Sequence, residues 1–150
     1  MPDSFDHITV SIAEPSILPL VKRFFHSQGM RAQAAKSDDI IITRTITDNG
    51  SAIIGALRLC PVKGSWLLRS MCIDEQFQGK GIGLHMLEQI QNNLSSKDCY
   101  CFPYTYLENF YKKAGFQIID ASDATPEIQA LYEQYLKNGK NISIMQFRQN

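Results

Sequence analysis

The chain has 150 residues, 44% hydrophobic and 20% charged, with 15 basic against 15 acidic side chains and a formal net charge of zero. This is the composition of a globular chain, and its length suits a single domain over 1–150 that buries about 68–70% of the surface its unfolded form exposes, without disulfides. Zero net charge excludes the bulk attraction that draws proteins to nucleic acids and anionic membranes, so neither is expected as a partner, although a local basic pocket stays compatible with it.

His7–Ala13 alternates apolar and polar residues (Ile8, Val10, Ile12) and predicts a strand. Ser16 then offers a helix N-cap with Pro19 in the first turn, where amides lack intrahelical partners. Ile17, Leu20, Val21, Phe24 and Phe25 form the stripe expected to be buried, and the helix should end near Gly29. Residues 30–38 are polar and open to a short helix. Ile40–Thr47, rich in Ile and Thr, predicts a strand. Asn49-Gly50 signals a hairpin into a return strand over Ser51–Leu59. Pro61 and Gly64 should break the chain before a third strand, Trp66–Ile73, so that the three strands form an antiparallel meander.

The periodicity then changes. Ile82, Met86, Ile90 and Leu94, with Leu87 beside them, predict an amphipathic helix of about fourteen residues. Cys99–Phe102 follows as a short strand. Strand, helix and strand over 66–102 make a βαβ unit with parallel strands and a right-handed crossover. Thr105-x-x-Glu108 has the spacing of a capping box for a short helix (Leu107, Phe110, Tyr111, Ala114) that Gly115 stops. Phe116–Asp120 reads as a strand. Thr125-Pro126 opens a helix as N-cap and first residue, with Ile128, Leu131, Tyr132, Tyr135 and Leu136 on its stripe and Asn138-Gly139 at its end. Ile142–Phe147 alternates as a last strand. The expected fold is α+β, layered α/β/α: a mixed sheet with an antiparallel N-terminal half and one parallel crossover.

The start of the chain lacks a basic stretch leading into an apolar run, and no run of about 18 apolar residues occurs, so neither a secretory signal nor a membrane span is expected. Cys60, Cys72, Cys99 and Cys101 lie far in sequence from His7, His26 and His85 and lack the paired spacing of a zinc site. They are expected as free, mostly buried thiols in a reducing cytoplasm, with no metal.

The segment that carries chemistry is Gln78-Gly79-Lys80-Gly81-Ile82-Gly83, between a predicted strand and a predicted helix. Such a loop aims unpaired backbone amides at the positive end of a helix dipole and suits a phosphate or pyrophosphate. Glycines let the backbone approach an anion without Cβ clashes, and Lys80 adds a cation. A P-loop would need Gly-Lys-Ser/Thr, which is absent. A Gly-x-Gly-x-x-Gly dinucleotide fingerprint would need glycine at Leu84 or Met86. Both nucleotide readings fail.

The spacing Gln78-x-x-Gly81-x-Gly83 resembles the Gln/Arg-x-x-Gly-x-Gly/Ala signature of the GNAT superfamily of acetyl-CoA-dependent N-acetyltransferases. Leu67-Leu68-Arg69-Ser70-Met71-Cys72-Ile73 resembles that family's central strand, and Phe110-Tyr111-Lys112-Lys113-Ala114-Gly115-Phe116 its Phe/Leu-Tyr-x-x-x-Gly-Phe segment. The similarity extends over the whole expected fold and is most specific over 67–116. It implies that the central strand splays from its parallel neighbour and that the backbone of Met71, Cys72 and Ile73 pairs with the pantetheine amides of acetyl-CoA. Gln78, Gly79, Lys80, Gly81, Ile82 and Gly83 would hold the pyrophosphate. A backbone amide near Met71–Cys72 would stabilise the oxyanion as an amine attacks the thioester directly. Tyr111 matches the family's general-acid tyrosine. A phenol (pKa about 10) is a weaker acid than a thiol (about 8.5), so full transfer is uphill by roughly 2 kcal/mol. Tyr111 is therefore expected first as a hydrogen-bond donor to the departing thiolate and second as a proton source.

An alkylammonium acceptor must lose a proton before it attacks. His26, Asp74, Glu75, Glu108 and a water relay all stay open for that task. Where many relatives carry a cofactor-contacting Asn, this chain has Cys101-Phe102-Pro103-Tyr104, which leaves the contact to the backbone or to Tyr104. The resemblance implies that acceptor choice rests on the segment after the first helix and on the loop between the last two strands; in the former, 22–39, Lys22, Arg23, Arg31 and Lys36 outnumber Asp38 and Asp39. This points to a small-molecule amine or amino-acid-like acceptor, with a peptide amine left open and a homodimer compatible. A non-catalytic acyl-CoA-binding regulatory module is the competing expectation.

Overall fold

A computed structural model of the chain describes residues 5–31 and 34–148. Among the described residues, seven strands form one mixed sheet: β1 (Ile8–Ile12), β2 (Asp39–Thr47), β3 (Gly50–Val62), β4 (Ser65–Ile73), β5 (Cys99–Cys101), β6 (Phe116–Ile118) and β7 (Met145–Phe147), in the order β1-β2-β3-β4-β5-β7-β6. The helices are α1 (Leu18–Ser27), α2 (Ile82–Gln89), α3 (Gln91–Leu94), α4 (Glu108–Lys113) and α5 (Pro126–Lys137). β1 and β2 pair antiparallel, as do β2 and β3, whereas β4 and β5 are parallel, as the βαβ reading requires. The α+β expectation holds.

The chain divides into two compact units, Met1–Leu59 with Ser70–Gln89, and Cys60–Arg69 with Ile90–Asn150. In the first, the α1 stripe of Val21, Phe24 and Phe25 packs with Ile40, Ile42 and Ala56 from β2 and β3. Leu20, expected on that stripe, is 49% exposed, and Ile12 of β1 is also exposed. Ser16 does not cap α1. It lies in a 3-10 turn over Pro15–Ile17, and α1 starts at Leu18 with a proline in its first two positions. Of the segment 30–38, residues 32 and 33 lie outside the described residues, and Asp38 N donates to Ala35 O (3.0 Å) in a turn rather than a helix.

Both predicted hairpins form, with shifted turns. β2 and β3 close at Thr47 opposite Gly50, and the positive φ falls on Gly50 (+113°), so Asp48-Asn49 make the turn. Pro61 does not end β3, which runs on to Val62; a proline is tolerated where the ladder does not need its missing N–H. The break is Lys63-Gly64, with φ +46° and +83°, the two left-handed residues a tight hairpin favours.

In the second unit, Leu67, Tyr100, Ala124, Ile128 and Ile144 form the core, with Phe102, Leu131 and Tyr132 against it. α5 starts as the sequence predicts: Thr125 accepts from Ile128 N (3.3 Å), Pro126 follows, and Gly139 (φ +82°) ends it. The predicted fourteen-residue helix is instead α2 and α3, interrupted where Ile90 leaves helical geometry (φ −107°, ψ 19°) with its side chain buried. β6 and β7 are also shorter than the predicted strands. The Thr105/Glu108 capping box does not form. Both side chains are committed across the chain instead, Thr105 Oγ1 accepting from Asn141 Nδ2 (3.1 Å) and the Glu108 carboxylate from Ser143 Oγ.

Gly115 combines two demands. Its φ is +101°, and a Cβ there would lie 2.8 Å from Cε1 of Phe147, which packs edge-on against Phe116. Backbone strain of about 1–2 kcal/mol and overpacking of about 1–3 kcal/mol should make Gly115→Ala destabilising by roughly 2–5 kcal/mol. A denaturant midpoint unchanged from wild type would contradict this.

Candidate functional site

The glycine loop is built on the end of β4. Ser70 sits inside that strand in the left-handed region (φ +57°), so the strand kinks just before Met71, Cys72 and Ile73, which are half-buried. The register with β5 pairs Trp66–Leu68 with Cys99–Cys101 and ends five residues before β4 does. Gly55 of β3 lets the end of β4 and α2 close in, because a Cβ there would lie 2.9 Å from Ile73 Cδ1 and 3.1 Å from Met86 Sδ.

After β4, Asp74 N donates to Ile54 O (2.7 Å), and the Asp74 carboxylate accepts from Gln76 N (2.9 Å) to cap a turn over Glu75–Phe77. Gln78 Nε2 then donates back to Ile73 O (2.9 Å), fastening the loop to the strand it leaves. Gly79 and Gly81 take φ +78° and +81°, and Gln78 through Gly81 are exposed. Ile82 is buried and anchors the first turn of α2, where His85 N donates to Gly81 O (3.0 Å). The amides of Ile82, Gly83 and Leu84 have no helical carbonyl a turn earlier to donate to. They carry the positive end of the helix dipole. Lys80 Nζ lies 5.4 Å from the Phe77 ring centre, at the loop. Glycine backbone, exposure and helix-start amides are the features that suit a phosphate group.

Tyr111 belongs to the second unit, on α4, and is 7% exposed. Phe110 and Phe116 pack edge-on against it at 5.1 and 5.6 Å between centroids. Burial first, and the nearby Cys101 thiol second, push its phenol well above the usual value of 10. It stays protonated through the neutral range. Among the base candidates, His26 and Glu75 are exposed, Asp74 caps its turn, and Glu108 binds Ser143. Tyr104 is exposed and stacks on Tyr106, with centroids 5.8 Å apart.

None of the four cysteines forms a disulfide; Cys72 is half-buried and the others are buried. Burial, with the Asp74 charge second, pushes the Cys72 thiol up to about 12, and burial alone takes Cys99 to about 12. Burial and then Cys99 raise Cys101 as well. Cys72 is therefore no thiolate nucleophile at neutral pH. In the unfolded chain these thiols ionise from about pH 8.5, so above that pH the native state holds more protons than the unfolded one. Stability should be full below about pH 8 and fall as pH rises toward 12, by up to about 1.4 kcal/mol per pH unit for each of Cys99 and Cys101. Denaturant midpoints flat between pH 8 and 11 under reducing conditions would contradict this.

Sequence reasoning passed over three residues that shape the site. Gly55, a lone glycine in an apolar strand, was a readable sign of close approach. Arg58, a charge within the buried run of β3, was a second. Ser70 gave no sign, since nothing local marks a serine for positive φ. Among the described residues, no group of three or more His, Cys, Asp or Glu could hold a metal ion, and no helix is long and apolar enough to cross a membrane.

Comparison with known families matches residues 41–118 to the acetyltransferase (GNAT) domain. No curated protein matches the chain. Among solved structures, Rv2747 from Mycobacterium tuberculosis, in complex with CoA and NLQ, is similar at 16% identity and a TM-score of 0.69, over 95% of this chain and 99% of that one. N-acetylglutamate synthase from Neisseria gonorrhoeae, complexed with coenzyme A and N-acetyl-glutamate, is similar at 15% identity and a TM-score of 0.67 over 95% of this chain. The present chain covers only 35% of that synthase's length. Arabidopsis thaliana Naa50, in complex with a bisubstrate analogue CoA-Ac-MVNAL, is similar at 15% identity and a TM-score of 0.63, over 95% and 99% of the two chains. At these identities the structures share the fold.

Proposed function

The chain belongs to the GNAT acetyltransferase family, and from that premise we propose that it moves an acetyl group from acetyl-CoA to a primary amine by direct attack, the 150 residues working as one domain. The observation that carries this reading is the loop Gln78–Gly83, whose two left-handed glycines and helix-start amides suit a pyrophosphate. Met71, Cys72 and Ile73, beyond the last pair registered with β5, would offer backbone groups to the pantetheine amides. An amide at Met71–Cys72 would polarise the thioester carbonyl and carry the charge that grows on its oxygen. The Cys72 thiol, held protonated by burial, favours direct attack over an acyl-cysteine relay. Tyr111 would donate a hydrogen bond to the departing thiolate, and a water relay would remove the proton from the ammonium.

The acceptor is an amine that also bears a carboxylate, as an amino acid does. Lys22, Arg23, Arg31 and Lys36 are exposed, while the charge of Asp38 is taken up by Arg58, leaving Asp39 as the acidic counterweight in 22–39. The N-acetyl-glutamate in the Neisseria complex is consistent with that class.

A thiol-release screen tests the function: purified protein with acetyl-CoA against amino acids, polyamines, small amines and peptides. Release of free CoA with an amino acid is the expected result. Failure to bind acetyl-CoA at all would overturn the proposal, and binding without release across the panel would favour a regulatory acyl-CoA-binding module.

A further inference from the structure

Arg58 lies in β3 within the buried run Ile54–Cys60 and is only 8% exposed. Its Nε donates to Oδ2 of Asp38 at 3.0 Å, and its Nη1 donates to Oγ of Ser70 at 3.3 Å. Asp38 Oδ2 also accepts from Ala35 N at 2.9 Å, so the carboxylate is fixed from two sides. All four residues belong to the first unit. Their chain of bonds runs from the turn before β2, through β3, to the kink in β4.

A buried ion pair is a poor source of stability, because the loss of hydration on both charges offsets their attraction, and apolar replacements of similar volume are often as stable. A planar guanidinium does supply direction, with one donor on the carboxylate and another on the hydroxyl. Ser70 has use for it. A non-glycine residue in the left-handed region persists only where its surroundings hold it. The bond from Arg58 is such a hold, and it acts one residue before Met71.

We propose that Arg58 is a positioning residue for acetyl transfer: aimed by Asp38, it holds Ser70 in the kink that directs the amide at Met71–Cys72 toward the acyl carbonyl. This rests on the acetyltransferase reading above. It also makes the turn at 35–38, in the segment assigned to the acceptor, part of the same support.

The test is infrared spectroscopy of carbonyl-labelled acetyl-CoA bound to the full chain, since a polarised thioester carbonyl absorbs at lower frequency than the free one. Wild type should show that shift. Asp38→Leu/Arg58→Met, which removes both charges together, should keep its Tm and still bind acetyl-CoA, yet lose the shift, with turnover down roughly 100-fold. Ser70→Ala, which removes only the accepting hydroxyl, should lose the shift as well and decides the matter if the double variant does not fold. A folded variant whose bound carbonyl keeps the wild-type frequency overturns the role of Arg58. A wild-type protein that binds no acetyl-CoA overturns the acetyltransferase reading instead, and this proposal with it.

Discussion

Gly81→Glu should abolish acetyl-CoA binding while the protein still folds. A Cβ at Gly81 would meet Phe5 Cζ at 3.7 Å, an ordinary contact, so space is no obstacle. The backbone cost of a side chain at φ +81° is about 1–2 kcal/mol, which lowers stability without unfolding the chain. The charge is what acts on the ligand. A carboxylate about 4 Å from a phosphate oxygen at an effective dielectric of 20 is repelled by about 4 kcal/mol, roughly a thousandfold in affinity. Gly81→Ala separates the two effects, because it carries the backbone cost alone and should bind within about tenfold of wild type. Calorimetric titration of both variants checks this, and equal affinities for the two would remove the pyrophosphate from the loop.

Tyr111→Phe should act on turnover instead. Phenylalanine keeps the packing against Phe110 and Phe116, so the fold and the acetyl-CoA affinity should change little. The lost hydroxyl should lower kcat by roughly 100- to 1000-fold, the range for a positioned proton-sharing group. Burial holds the phenol protonated well past its usual range, which makes donation of a hydrogen bond easier to sustain and full proton transfer to a thiolate more uphill. The wild-type rate should therefore show no loss from tyrosine ionisation up to about pH 10. A Tyr111→Phe variant with wild-type kcat would leave the thiolate without its proposed donor.

Features set by neighbours in sequence were the readable ones. Thr125-Pro126 caps α5 because the cap bond to Ile128 N spans only three residues. Gly29, Gly115 and Gly139 all take the positive φ that helix ends favour. Where a distant partner competes, the local signal loses. Thr105 and Glu108 have the spacing of a capping box, yet Asn141 and Ser143 claim their side chains from more than thirty residues away. Leu20 fits the helical stripe of α1 but is exposed, because the core of that unit takes Val21, Phe24 and Phe25.

The candidate site divides along the same line. The loop could be read because its chemistry is carried by backbone amides and glycine spacing, which the sequence displays directly. The support of the preceding strand could not. Arg58 finds Asp38 across 20 residues and Ser70 across 12, and no periodicity records such bonds. Net charge was silent for a related reason: the Asp38–Arg58 pair cancels in any count while removing one acidic group from the surface.

Titration of the wild-type chain with acetyl-CoA by calorimetry tests the central claim most directly, since every proposed role depends on that ligand. Saturable binding of one acetyl-CoA per chain is the expected result, lost in Gly81→Glu and kept in Tyr111→Phe. A folded wild-type protein that takes up no acetyl-CoA at about 1 mM, the upper end of ordinary enzyme KM values, would contradict it.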